Sequence, residues 1–121
     1  MDFCTRGIWS PDAERKTPEA TRARIHWRGL SVGEMQAANE RTSTRHKGVR
    51  ETRGMEYAAE ICALSVEKIE NVSIAGVPVV YPDKMPERRA FWLAFPSFAL
   101  MDELASTIIR GQTVSEAELR D

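Results

Sequence analysis

Two cysteines and two histidines are the only residues of their kind in the sequence: Cys4, His26, His46 and Cys62. A structural zinc site needs several such ligands at short spacings, and no two of these lie close together. No metal and no cofactor is therefore expected. Cys62 falls on the apolar face of a helical pattern and reads as a small buried hydrophobe rather than a nucleophile. Cys4 lies near the end of the chain and reads as an exposed thiol without a role. His26 alternates with Ile25 and Trp27, so it should point away from the core. His46 adds charge to a basic segment in mild acid. Neither has a carboxylate placed beside it in the sequence to orient it, as a catalytic histidine would.

Paired carboxylates occur at Asp102 with Glu103, at Glu116 with Glu118 and at Glu56 with Glu60. Each is expected on a solvated face or in the tail. The glycines are scattered, so no phosphate-cradling loop can be drawn. Arg88 and Arg89 stand next to Phe91 and Trp92, where they could stack on a base or clamp a phosphate. The plainer reading is that their stems cover a neighbouring apolar surface. No catalytic constellation emerges, and the chain is expected not to be an enzyme.

The densest charge is basic. Arg41, Arg45, His46, Lys47, Arg50 and Arg53 span thirteen residues, a density suited to phosphate contacts. Glu40 and Glu51 dilute it, no aromatic residue interleaves it, and the net charge of the whole chain is −1. Residues 1–54 carry 11 Lys or Arg against 7 Asp or Glu, and residues 55–121 carry 6 against 11. The basic half can meet nucleic acid or an acidic partner. It can equally face its own acidic half or another copy of the chain.

The elements that must position these residues follow from periodicity. Residues 1–22, with Gly7, Pro11, Pro18 and few apolar side chains, read as an extended N-terminal arm carrying Trp9. Residues 23–121 read as a single domain. Within it, Ala23, Ile25 and Trp27 alternate with Arg24, His26 and Arg28, the period of a half-buried strand. Ser31 and Glu34 form a capping-box pattern that opens a helix over residues 31–41. Residues 42–54 contain almost nothing apolar and read as a mobile basic loop or an extended arm. Met55, Ala59, Cys62, Val66 and Ile69 recur at helical spacing, predicting a helix over 55–70 buried on more than one side.

Residues 71–81 alternate around Ala75-Gly76 and predict a β-hairpin, with Pro78 on an edge strand. Pro86 opens a helix over 86–94, with Ala90, Phe91, Leu93 and Ala94 as its inward side. Ser97 opens a last long helix, whose face carries Phe98, Met101, Leu104, Ala105, Ile108 and Ile109. Gly111 reads as its stop. The expected fold is α+β: three to four helices on a small hairpin, with a third strand possible at 23–28.

The length of 121 residues fits one domain with a modest core. Two distant cysteines fit a reducing compartment, no apolar run is long enough to span a membrane, and the first residues do not read as a signal peptide. What stands out is aromatic. Trp9, Trp27 and Trp92 are costly to leave in water and favoured at interface hot spots. Phe91, Trp92, Phe95 and Phe98 crowd one stretch broken by Pro96, so some of them are expected in a groove or an oligomer contact. The competing expectation is that they fill the core.

The order of these features resembles small assembly proteins of tailed bacteriophages. IHWRGLSVGEMQAANER, residues 25–41, resembles the opening strand and capped helix of tail assembly chaperones. Glu56-Tyr57-Ala58-Ala59 through Leu64 is similar to their middle helix, and ENVSIAGVPVV, residues 70–80, to the turn that follows. PERRAFWLAFPSFALMDELASTI, residues 86–108, is similar to their final helices and to an element of baseplate hub assembly proteins; the sparse tail SEAELRD fits as well. The resemblance spans residues 22–121. It implies a protein without catalytic residues that holds a tape-measure-like tail or baseplate component during assembly, in the host cytoplasm or retained in the virion.

The expected partner-binding residues are Trp9, Trp27, Arg88, Phe91, Trp92, Phe95 and Phe98. The alternative is a small regulator or inhibitor that binds nucleic acid or a host nucleoprotein through Arg41, Arg45, Lys47, Arg50 and Arg53.

Overall fold

A computed structural model describes residues 6–14, 16–18, 20–46, 49–52 and 54–111. The strand expected at 23–28 lies at the centre of its main sheet. β1 (Arg6–Trp9) pairs antiparallel with one side of β2 (Arg24–Arg28), and β5 (Val66–Glu70) pairs antiparallel with the other. The alternation in β2 holds: Ile25 and Trp27 are buried, while Arg24, His26 and Arg28 are half-buried on the other face. Part of the N-terminal segment is thus not a loose arm. Its residues 6–9 are a sheet strand, because Gly7 and Trp9 share the inner face with Trp27 and Ile25 across the register.

Helix α1 (Val32–Thr42) begins as the capping box requires. The Ser31 hydroxyl accepts from the Glu34 N–H at 3.1 Å, and the Glu34 carboxylate accepts from the Ser31 N–H at 3.0 Å. Residues 42–54, read as a loop, carry a hairpin in its place: β3 (Ser43–His46) against β4 (Val49–Thr52), in an antiparallel register that sets Arg45 opposite Arg50. A hairpin built from backbone pairing needs little apolar content in so short a stretch, and the pattern of side chains did not signal it.

The helix expected over 55–70 ends early. α2 (Gly54–Ser65) stops where the buried Ser65 hydroxyl donates to the Arg28 carbonyl, and the chain continues directly as β5. Val66 and Ile69 are three residues apart, a helical spacing. A regular strand would put them on opposite faces. An irregularity in the β2–β5 register, where Trp27 pairs with Val66 but His26 with Lys68, leaves Glu67 as an extra residue. This bulge turns both apolar side chains inward.

The hairpin at 71–81 exists but is shorter than expected, with two residues per strand: β6 (Ser73–Ile74) and β7 (Val77–Pro78). Its turn residues, Ala75 and Gly76, both have positive φ, 52° and 79°, as the two-residue hairpin turn demands. α3 (Met85–Leu93) starts with proline in its first turn, and α4 (Phe98–Arg110) is capped by the Ser97 hydroxyl, which accepts from the Leu100 N–H at 3.3 Å. On α3 the buried residue is Trp92; Ala90, Leu93 and Ala94 are exposed, contrary to the inward side expected for that helix. On α4 the buried residues are Met101, Leu104, Ala105 and Ile108.

The fold is α+β. A single core cluster joins the inner sheet face (Trp9, Ile25, Trp27, Val66) to α2, Trp92 and the buried side of α4. α2 lies in the middle with Ala58, Ala59, Ile61, Cys62 and Ala63 all buried, which accounts for its broad apolar face. Among the described residues, no helix is long and apolar enough to cross a membrane.

Trp27 shapes this core by the room it needs. A Cβ placed on Gly7 would lie 2.5 Å from Trp27 Cζ2, and one placed on Gly111 would also collide with the indole ring. Gly111 caps α4 with φ −65°, in the right-handed region. The expected reason for a glycine there, a left-handed stop, therefore does not apply. The glycine is needed because the ring of Trp27 occupies the place of a side chain.

Candidate functional site

The residues singled out in the sequence are placed very differently from one another. Trp9, Trp27 and Trp92 are all buried, with Trp92 only 1 % exposed. Their rings form core, and only the edges of Trp9 and Trp92 reach a recess described below. Replacing Trp92 by alanine would cost about 3–5 kcal/mol of stability and would not report on binding.

Trp92 anchors an aromatic cluster. Its indole N–H donates to the Tyr81 hydroxyl at 2.9 Å. Phe91 stacks edge-on against both Tyr81 and Trp92, with centroids 5.4 and 5.0 Å away, and Phe95 lies 5.1 Å from Trp92. Burial pushes the Tyr81 hydroxyl up to about 12, which keeps it a neutral partner for the indole. Arg88 donates to the Pro82 carbonyl at 2.8 Å and lies over the Tyr81 ring at 5.0 Å. It covers apolar surface as the plainer reading of Arg88-Arg89 expects. Phe91 and Phe95 are half-buried. Phe98, 43 % exposed, is the most exposed of the expected contact residues outside the basic segment whose side chains are described.

Arg41, a candidate for phosphate contact, has another use. Its guanidinium donates to Glu60 Oε1 at 2.6 Å, and Arg89 Nε donates to Glu60 Oε2 at 2.9 Å. Glu60 is buried, not on a solvated face as its pairing with Glu56 suggested. A buried carboxylate needs such partners, and this one ties α1, α2 and α3 together. Arg45 and Arg50 face each other in the β3–β4 register; Lys47 and Arg53 lie outside the described residues. Cys62 is fully buried, with its thiol pushed far up by burial. Cys4 and the carboxylates Glu116 and Glu118 lie outside the described residues.

His26 points away from the core, as its alternation expects, and is half-buried there; Glu70, across the β2–β5 pair, bonds its Nε2. The hydrogen bond from His26 holds the Glu70 carboxyl below the usual range. The pair lies on the outer sheet face with Arg6–Glu67 (3.2 Å) and Arg28–Glu34 (2.8 Å). Arg6–Glu67 runs from β1 to β5, whereas Arg28–Glu34 runs from β2 to α1. Among the described residues, no three His, Cys, Asp or Glu side chains are grouped to hold a metal.

A recess with mixed apolar and polar walls was not foreseen. It is a cleft of about 210 Å³ at the end of the sheet where β1 finishes and β2 begins. Trp9, Ala23 and Ile25 form its sheet side, Trp92 and Phe95 come from the end of α3, and Leu100, Met101 and Leu104 come from α4. Val72, just before β6, and Ser73, its first residue, close a third side, and Glu14, in the 3₁₀ turn Asp12–Glu14, stands in the remaining wall. Asn71 holds this end together. It adopts φ 59°, a conformation asparagine tolerates better than most residues. Its side-chain amide donates to the Ala20 and Arg22 carbonyls at 3.2 and 3.0 Å, tying the segment before β2 to the end of β5.

Of the expected contact residues, the cleft brings together Trp9, Trp92 and Phe95. It leaves Trp27, Arg88, Phe91 and Phe98 elsewhere. The signal for the others was weak: Leu100 and Val72 are ordinary apolar positions, and Glu14 sits in a segment without periodicity. The chain matches no protein-family model, no curated protein and no solved structure.

Proposed function

We propose that this chain works by binding another protein, without catalysis, and that the cleft beside Trp9 and Leu100 seats a segment of that partner. The observation that supports this reading most is the cleft itself. It is a preformed recess with apolar walls and a few polar groups at its edge, the usual make-up of a binding site. Two structural ties, the Asn71 amide and the Ser97 cap, hold its walls.

The likeness of residues 22–121 to phage tail assembly proteins supplies the partner class. That partner is a tape-measure-like tail or baseplate component, held in the bacterial cytoplasm while the tail is built.

The test is co-expression with the products of the adjacent genes, followed by affinity capture at rising salt. Leu100→Glu puts a charge in the cleft and should abolish capture of the partner, with the circular dichroism spectrum unchanged. Capture that survives Leu100→Glu in a folded protein would refute the cleft as the seat.

A second reading has one observation in its favour. The β3–β4 register pairs two basic residues, Arg45 with Arg50, in the segment whose basic density suits phosphate contacts. Arg45→Ala with Arg50→Ala would then abolish a binding that falls steeply with salt.

A further inference from the structure

The polar lining of the cleft is one-sided. Glu14 contributes a carboxylate and Ser73 a hydroxyl, while the amide nitrogen of Asn71 is already used on the Ala20 and Arg22 carbonyls. Among the described residues, no lysine, arginine or histidine lines it. Arg22, next to the cleft-lining Ala23, turns back to the Thr17 carbonyl at 3.0 and 3.2 Å. Most other half-buried or buried carboxylates have a cation to meet: Glu60 has Arg41 and Arg89, Glu34 has Arg28, and Glu70 has His26 and Lys68. The side chain of Glu14 is half-buried and has no ion pair or hydrogen bond among the described residues.

We infer that the cleft receives a basic side chain, arginine or lysine, from an extended segment of the partner. Its methylene stem lies on the apolar walls, and its charged head meets Glu14. Long basic side chains bury their stems against apolar surface while the head stays at the edge. A charged donor on a carboxylate makes a stronger hydrogen bond than a neutral pair, and aromatic rings, here Trp9 and Phe95 in the lining, attract a cation to their faces. The size is adequate, since an apolar cavity of about 150 Å³ already takes a benzene ring. This inference rests on the reading of the cleft as the partner's seat, and it names the chemistry of what enters.

The test titrates the isotope-labelled full chain with three capped tripeptides, acetyl-Ala-X-Ala-amide, where X is arginine, norleucine or glutamate. The indole N–H signals of Trp9 and Trp92 and the amide of Ser73 report on the cleft. The arginine peptide should shift these signals and bind about fivefold more tightly than the norleucine peptide, as a partly solvated ion pair allows. Glu14→Gln should remove that advantage and leave norleucine binding unchanged. Equal binding of arginine and norleucine at the cleft would overturn the inference while leaving an apolar docking cleft in place. Tighter binding of glutamate, shifts confined to other parts of the protein, or an arginine preference that survives Glu14→Gln would overturn it too. The docking reading itself stands or falls on the Leu100→Glu capture experiment.

Discussion

Glu60 carries a carboxylate into the interior with only 5 % of its side chain exposed, and two guanidiniums follow it. Removing one member of a buried pair leaves the others desolvated and unpaired. Glu60→Ala should therefore cost about 3 kcal/mol, near the low end for buried pairs because both arginines also reach water. Urea unfolding of the variant checks this. Arg41→Ala should cost less, since Arg89 remains on the carboxylate.

Glu34 is a second case where one residue serves two structures. The hydrogen bond from Arg28, and then the Ser31 N–H, hold its carboxyl down at about 2. A carboxyl whose folded pKa is depressed stabilises the fold above its unfolded pKa and loses that contribution as pH falls through the folded value. Glu34→Gln should be less stable than the native chain at pH 6, by about 1 kcal/mol as for other caps. The gap should close as pH falls from about 4.5 towards 2, and melting temperatures across that range would show it.

At the scale of elements, Trp27 shows how a side chain fixes where strands and helices meet. Its indole lies against Gly7 of β1 and Gly111 at the end of α4, where neither can carry a Cβ. Gly111→Ala should destabilise the protein by about 1–3 kcal/mol, as overpacking of a core does.

Where periodicity matched a single partner, the elements were legible: the alternation of 23–28 gave β2, and Ser31 with Glu34 gave the start of α1. Where tertiary pairing overrode local pattern, they were not. Val66 and Ile69 have helical spacing, and only the bulge at Glu67, which depends on β2, makes them a strand. β1 and the β3–β4 hairpin are short and lack apolar alternation, so nothing local announced them. The burial of Glu60 was equally hidden, since its partners come from 19 residues before it and 29 after it.

Across the whole molecule, the sheet's outer face carries ion pairs, while the apolar cleft lies between the inner sheet edge and α4. The aromatic stretch around residues 91–98 signalled apolar excess but not its location. Two of its four rings, Trp92 and Phe95, line the cleft, while Phe91 packs on Tyr81 and Phe98 stays at the surface. Composition cannot divide rings in this way, because the break at Pro96 sets the angle between α3 and α4.

The most direct test of the account places a photo-cross-linking amino acid at Ser73, an exposed position on the cleft wall, and in a second protein at Arg45 on the hairpin. Both are irradiated in cells that co-express the adjacent gene products. The account predicts a protein adduct from position 73, lost when Leu100→Glu is added, and none from position 45. An adduct from position 45 alone, to protein or nucleic acid, would contradict it.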